Sequence, residues 1–130
     1  NAALGLAQLE RLPELLHAKE LLAARYARAF AGVAGARFFV PAPHVRSNHW
    51  LNTLILEAHE TERDEVLARL AADGIHARPA WTPMHRLPMY RDCPRMPLVH
   101  TERLAAGIVT LPSSSRLAGV RTRKSEHARE

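Results

Sequence analysis

Cysteine and lysine are both scarce in this sequence. Cys93 is the only cysteine, and of the 18 lysines and arginines only Lys19 and Lys124 are lysines. One cysteine excludes an internal disulfide and a cysteine cluster for zinc or an iron–sulfur centre, in keeping with a reducing compartment. No apolar run is long enough to cross a bilayer and no signal-peptide pattern is present, so a cytoplasmic protein without a membrane partner is expected. The eight histidines include no HExxH pair and no compact histidine–carboxylate set, and no metal is expected. Nothing marks Cys93 as an activated thiolate. Ser113, Ser114 and Ser115 lack the GxSxG elbow of a serine hydrolase, and no glycine-rich phosphate loop is present.

What is present describes one ordinary domain. A chain of 130 residues, 47% hydrophobic and 24% charged, is long enough to bury a single core. The formal net charge of +5 and the pI near 10.3 would suit a polyanion. Much of that charge sits at one end, however, where Arg116, Arg121, Arg123, Lys124 and Arg129 fall in a stretch without hydrophobic periodicity. A domain over 1–115 and a basic, flexible tail over 116–130 are therefore expected, with no nucleic-acid partner.

Leu9, Leu12, Leu16, Ala23, Ala27 and Phe30 recur at helical spacing. Pro13 suits the first turn of a new helix, so the pattern predicts a short helix to about Glu10 and a second from Pro13 to Phe30. Strands are predicted at Arg37 to Val40, Trp50 to Ala58, Ile75 to Arg78 and Ile108 to Leu111. Helices are predicted from Glu62 to Asp73, with Thr61 as N-cap and Gly74 as a left-handed C-cap, and from Val99 to Ala106, stopped by Gly107. Together these predict an α/β chain: a two-layer α+β domain with a long N-terminal helical segment and a small sheet carrying helices on one face.

The stretch from Pro79 to Pro97 holds five prolines and reads as a long loop. With Arg78 just before it, it carries Trp81, His85, Arg86, Tyr90, Arg91 and Arg95. Guanidinium forks bind phosphate and flat rings stack on apolar sugar faces. On composition alone a rigid structural loop with solvated arginines is the better reading. The histidine pair His44 and His49 reads as an ordinary loop pair.

The opening NAALGLAQLERLPELLHAKELLAARY resembles the segment that begins the small domain in the DegT/DnrJ/StrS family of sugar aminotransferases. The run ARPAWTPMHRLPMYRDCPRMPLVHTERLAAGIVTLPSSSRL resembles that family's C-terminal portion, and it looks most like the subgroup that makes legionaminic-acid or bacillosamine precursors. The resemblance implies the C-terminal small domain of a fold-type-I enzyme that moves an amino group from glutamate to a keto-deoxysugar nucleotide for surface polysaccharide or glycan biosynthesis. It implies pyridoxal phosphate as cofactor in the full-length enzyme, and as partners the protein's own large domain and a second subunit in a homodimer. Neither Lys19 nor Lys124 matches the cofactor lysine, so that lysine and the catalytic aspartate are expected upstream of Asn1, and this chain alone is expected to be inactive. A substrate-proximal role carries over to Arg78 and His85, with Trp81 in the same loop and with Ser113 and Ser114 lining the same cleft. The alternative is a free-standing module that holds an anion or a sugar on its arginine loop.

Overall fold

The computed structural model describes residues 2–57 and 59–119. Helix α1 (Ala2–Ala29) is followed by strands β1 (Ala36–Phe38) and β2 (Asn52–Leu56), helix α2 (Glu60–Ala72), strand β3 (Arg78–Pro79), helix α3 (Val99–Gly107) and strand β4 (Ile108–Leu111). Short 3-10 turns at Met84–Arg86 and Pro88–Tyr90 punctuate the proline-rich loop, and another, Ser115–Ala118, follows β4.

The expected break at Pro13 is absent: α1 runs through it as one helix. Proline's fixed φ is itself helical, and its cost in mid-helix is the amide it cannot donate to the carbonyl four residues back, here that of Leu9. Residues 2 to 10 are exposed, so water can take up that carbonyl. The predicted apolar stripe divides along the helix. Its C-terminal part packs, with Ala23 buried and Leu16, Ala27 and Phe30 half-buried, while Leu9 and Leu12 remain exposed, and Ala18 and Leu22, outside the predicted stripe, are buried as well.

The sheet is antiparallel throughout, in the order β1-β2-β4-β3. The strand after α2 therefore does not return beside β2, because β4 inserts between them. Residues opposite one another point to the same side of a pleated sheet. Phe38, Leu54 and Val109 make one such row, and Asn52 and Leu111 the next. On this face Leu54, Val109 and Leu111 form the core beneath Tyr26 and Phe30 from the end of the α1 region and Leu67 of α2. Each such buried side chain contributes roughly 1.5–3 kcal/mol. The opposite face carries Arg37, Ile55 and Ile108 in one row and Thr53, Thr110 and Arg78 in the next.

Strands β1 and β2 are shorter than the stretches expected at Arg37 to Val40 and Trp50 to Ala58, and three further boundaries differ from the sequence reading. Helix α2 begins at Glu60, with His59 rather than Thr61 as N-cap, because the Glu62 carboxylate reaches back to accept the His59 amide at 2.6 Å. Gly74, at φ +75°, does close the helix, but Ile75 spends its amide on the Leu70 carbonyl at 2.8 Å, so β3 starts only at Arg78. Pro79 is tolerated there because β3 is an edge strand. Finally, Ala118 is 1% exposed and packs with Ala18 and Leu22. The packed unit thus extends past the boundary expected at 115, because a small apolar side chain fits against α1; residues 120–130 of the expected tail lie outside the described residues.

Candidate functional site

The proline-rich loop is fastened to the helices by charge. Glu102, in the middle of α3, receives His85 Nε2 on one carboxylate oxygen and an Arg86 guanidinium nitrogen on the other. A second nitrogen of Arg86 donates to Glu60 at the start of α2, at 2.5 Å. The Arg86 hydrogen bond, followed by that of His85, holds the Glu102 carboxyl down at about 2, and the hydrogen bonds to Glu102 and then Glu60 push the Arg86 pKa upward. Because Glu102 is an ionised acceptor, the His85 nitrogen facing it must carry the proton. The other ring nitrogen, Nδ1, makes no hydrogen bond among the described residues. His85 is thus fixed in orientation with one nitrogen free.

Trp81 is 75% exposed. Its ring centroid lies 6.4 Å from that of Trp50, at an interplanar angle of 44°. Arg78 is exposed on the outward row of the sheet opposite Thr110 and makes no ion pair among the described residues. The loop thereby brings an oriented imidazole, a free guanidinium and an exposed indole onto one segment.

The two serines do different work from that expected. The Ser113 hydroxyl accepts the Asn52 amide at 3.0 Å and its side-chain Nδ2 at 3.2 Å, and donates to the Leu111 carbonyl at 3.0 Å. One donor and two acceptor positions are then all in use within the chain. Ser114 caps the 115–118 turn by accepting the Arg116 amide at 3.4 Å. Both serve the backbone after β4.

Lys19 belongs to the same fastening. Its Nζ donates to the backbone carbonyls of Ser113 at 2.7 Å and His49 at 3.1 Å, and desolvation lowers its pKa. The Tyr26 hydroxyl donates to the Pro112 carbonyl at 3.0 Å. A cofactor lysine needs a nucleophilic amine beside a phosphate cradle; Lys19 is committed to two carbonyls and does not fit. Lys124 lies outside the described residues. Among the described residues no group of histidine, cysteine and carboxylate side chains is placed to hold a metal ion.

Sequence reasoning missed Glu102, Arg86's structural role, Trp50, Lys19 and Asn52. Glu102 and His85 are 17 residues apart, and no periodicity connects a helix position to a loop. A cavity of about 680 Å³ over Ile55 and Leu104, rimmed by Arg37, Glu57 and Arg103, shares only Glu102 with this cluster.

The described elements include no helix long and apolar enough to cross a membrane. The family model described as DegT/DnrJ/EryC1/StrS aminotransferase matches residues 1–124. GDP-perosamine synthase of Caulobacter vibrioides is 36% identical over 122 residues, covering 90% of this chain and 32% of that protein. The dTDP-4-dehydro-2,3,6-trideoxy-D-glucose 4-aminotransferase of Saccharopolyspora spinosa is 31% identical over 96 residues, covering 72% and 24%. The structure of DesI in the presence of its TDP-sugar product superposes with a TM-score of 0.77 at 33% identity, covering 91% of this chain and 33% of that one. The chain spans a quarter to a third of the length of these relatives. A family match over nearly the whole chain, joined to a shared fold at 33% identity, settles the lineage: the chain belongs to the DegT/DnrJ/EryC1/StrS aminotransferase family.

Proposed function

We propose that this chain serves as the C-terminal small domain of a pyridoxal-phosphate-dependent nucleotide-sugar aminotransferase, which moves an amino group from glutamate to a keto-deoxysugar nucleotide in glycan or surface-polysaccharide biosynthesis. The observation that carries this reading is the family match over 1–124, with relatives named as a GDP-perosamine synthase and a 4-aminotransferase of a dTDP-linked deoxysugar. The complete enzyme is a cytoplasmic homodimer that takes its cofactor lysine from a large domain, in keeping with the engagement of Lys19 elsewhere. No step through the cofactor is assigned to this chain, which alone is inactive. Its contribution is to shape the sugar end of the site: His85 presents Nδ1, Arg78 supplies positive charge and Trp81 an apolar face, while Ser113 and Ser114 hold the neighbouring backbone.

The test is kinetic. In the complete enzyme, His85→Ala or Arg78→Ala should lower kcat/KM toward the sugar nucleotide by about 1–3 kcal/mol, the size of a lost charge-assisted hydrogen bond. The glutamate half-reaction should change little. Single-turnover measurement of each half-reaction, with thermal melts as control, separates a site role from general destabilisation, since a weakened fold would slow both halves.

A further inference from the structure

The geometry points to a second element of ligand recognition, a sugar-ring platform formed by Trp50 and Trp81. It deepens the proposed function and rests on it for the identity of the ligand. The two indoles come from separate loops, one before β2 and one after β3, and are 67% and 75% exposed. Large aromatic side chains normally bury most of their area, so two of them meeting in solvent is unusual. Their tilt of 44° at 6.4 Å is an open wedge rather than a stacked pair, and both residues stay largely exposed.

The wedge is built on a held loop. His49, directly before Trp50, has φ +48°, the left-handed region that non-glycine residues rarely occupy. Three hydrogen bonds keep the loop there. The His49 amide donates to Ser47 Oγ at 3.0 Å, the Trp50 amide to Asn48 Oδ1 at 3.0 Å, and the His49 carbonyl accepts Lys19 Nζ at 3.1 Å. On the other side Trp81 sits in a loop fastened through His85 and Arg86 to Glu102. Both rings are therefore positioned before any ligand arrives, which lowers the ordering cost of binding.

A pyranose ring fits this surface best. It has an apolar face of C–H groups that lies against an indole, and a 6-deoxy sugar adds a methyl group that an open wedge can take. Arg46 and Arg78, both exposed, lie in the same two segments and suit the phosphates attached to such a sugar.

Trp50 and Trp81 are the only tryptophans in the sequence, so the fluorescence of selectively excited tryptophan in this chain reports on the platform alone. Titrating the chain with the methyl glycoside of a 6-deoxyhexose should shift or quench that emission saturably in the millimolar range. A nucleoside diphosphate without sugar, held only through Arg46 and Arg78, should shift it less. Trp81→Ala should raise the glycoside concentration at half-response, read from the remaining Trp50, about tenfold or more, whereas Trp81→Phe, which keeps a ring, should raise it less; circular dichroism checks that each variant is folded. No saturable response to the glycoside, an equal response to the sugar-free nucleotide, or an unchanged midpoint in Trp81→Ala would overturn the platform. A platform that binds the glycoside in a complete enzyme unable to transfer an amino group would instead overturn the proposed function, so the two failures are distinguishable.

Discussion

Glu102 joins a loop to two helices through a single carboxylate, and its titration exposes that junction. A carboxyl whose pKa is lower folded than unfolded adds stability above its unfolded value, and the addition disappears as pH falls toward the folded value. For Glu102 the window runs from about 4.5 down to about 2. Wild-type protein should therefore melt above Glu102→Gln at neutral pH, and the gap should close across that window; a gap independent of pH would show that the carboxylate charge is not what holds the loop. Lys19 fastens the other end. Lys19→Met removes donors from the Ser113 and His49 carbonyls and should cost about 1–3 kcal/mol by urea unfolding. None of this was legible from the residues one by one. His85 and Arg78 were picked out by a family pattern, whereas the partner that orients His85 is contributed by a helix distant in sequence, and the bonds from Ser113 to Asn52 and Leu111 could not be inferred from the position of the hydroxyl alone.

Elements were more legible where local chemistry decides them. Gly74 closes α2 in the left-handed conformation expected of it, and β4 covers Ile108 to Leu111 as the short strand expected there. Pro13 misled because proline's penalty depends on whether water can reach the carbonyl left without a donor, and in α1 it can. The insertion of β4 between β2 and β3 was invisible for a different reason: pairing between distant strands is settled by tertiary packing. Gly107 shows how tight that packing is. A Cβ there would collide with the Leu56 backbone carbonyl, and backbone cannot swing aside as a side chain does. Gly107→Ala should thus destabilise the domain by about 2–3 kcal/mol, even though alanine favours the helix in isolation. A melting temperature equal to or above wild type would mean that the α3–β4 junction is looser than described.

Taken as a whole, the molecule buries one end of its longest helix and leaves the other bare. Leu6, Leu9 and Leu12 recur every third residue along one side of α1 and are 60%, 65% and 43% exposed, with Leu4 at 66% nearby. Isolated exposed leucines are ordinary, but a ridge of them on one helix marks a surface that seeks a partner. In the proposed complete enzyme that partner would be the large domain. For this chain alone, the apolar surface within reach is the same ridge on a second copy, and two such helices can pack ridge into groove. Self-association should follow, visible as a sedimentation coefficient that rises with protein concentration. Leu6→Glu places a charge in the middle of the ridge, where burial would strip its hydration, and should return the chain to a monomer without lowering its melting temperature, since Leu6 makes no contribution to the buried core. A chain that stays monomeric at every concentration, or an assembly indifferent to Leu6→Glu, would show that the ridge alone does not bring two copies together.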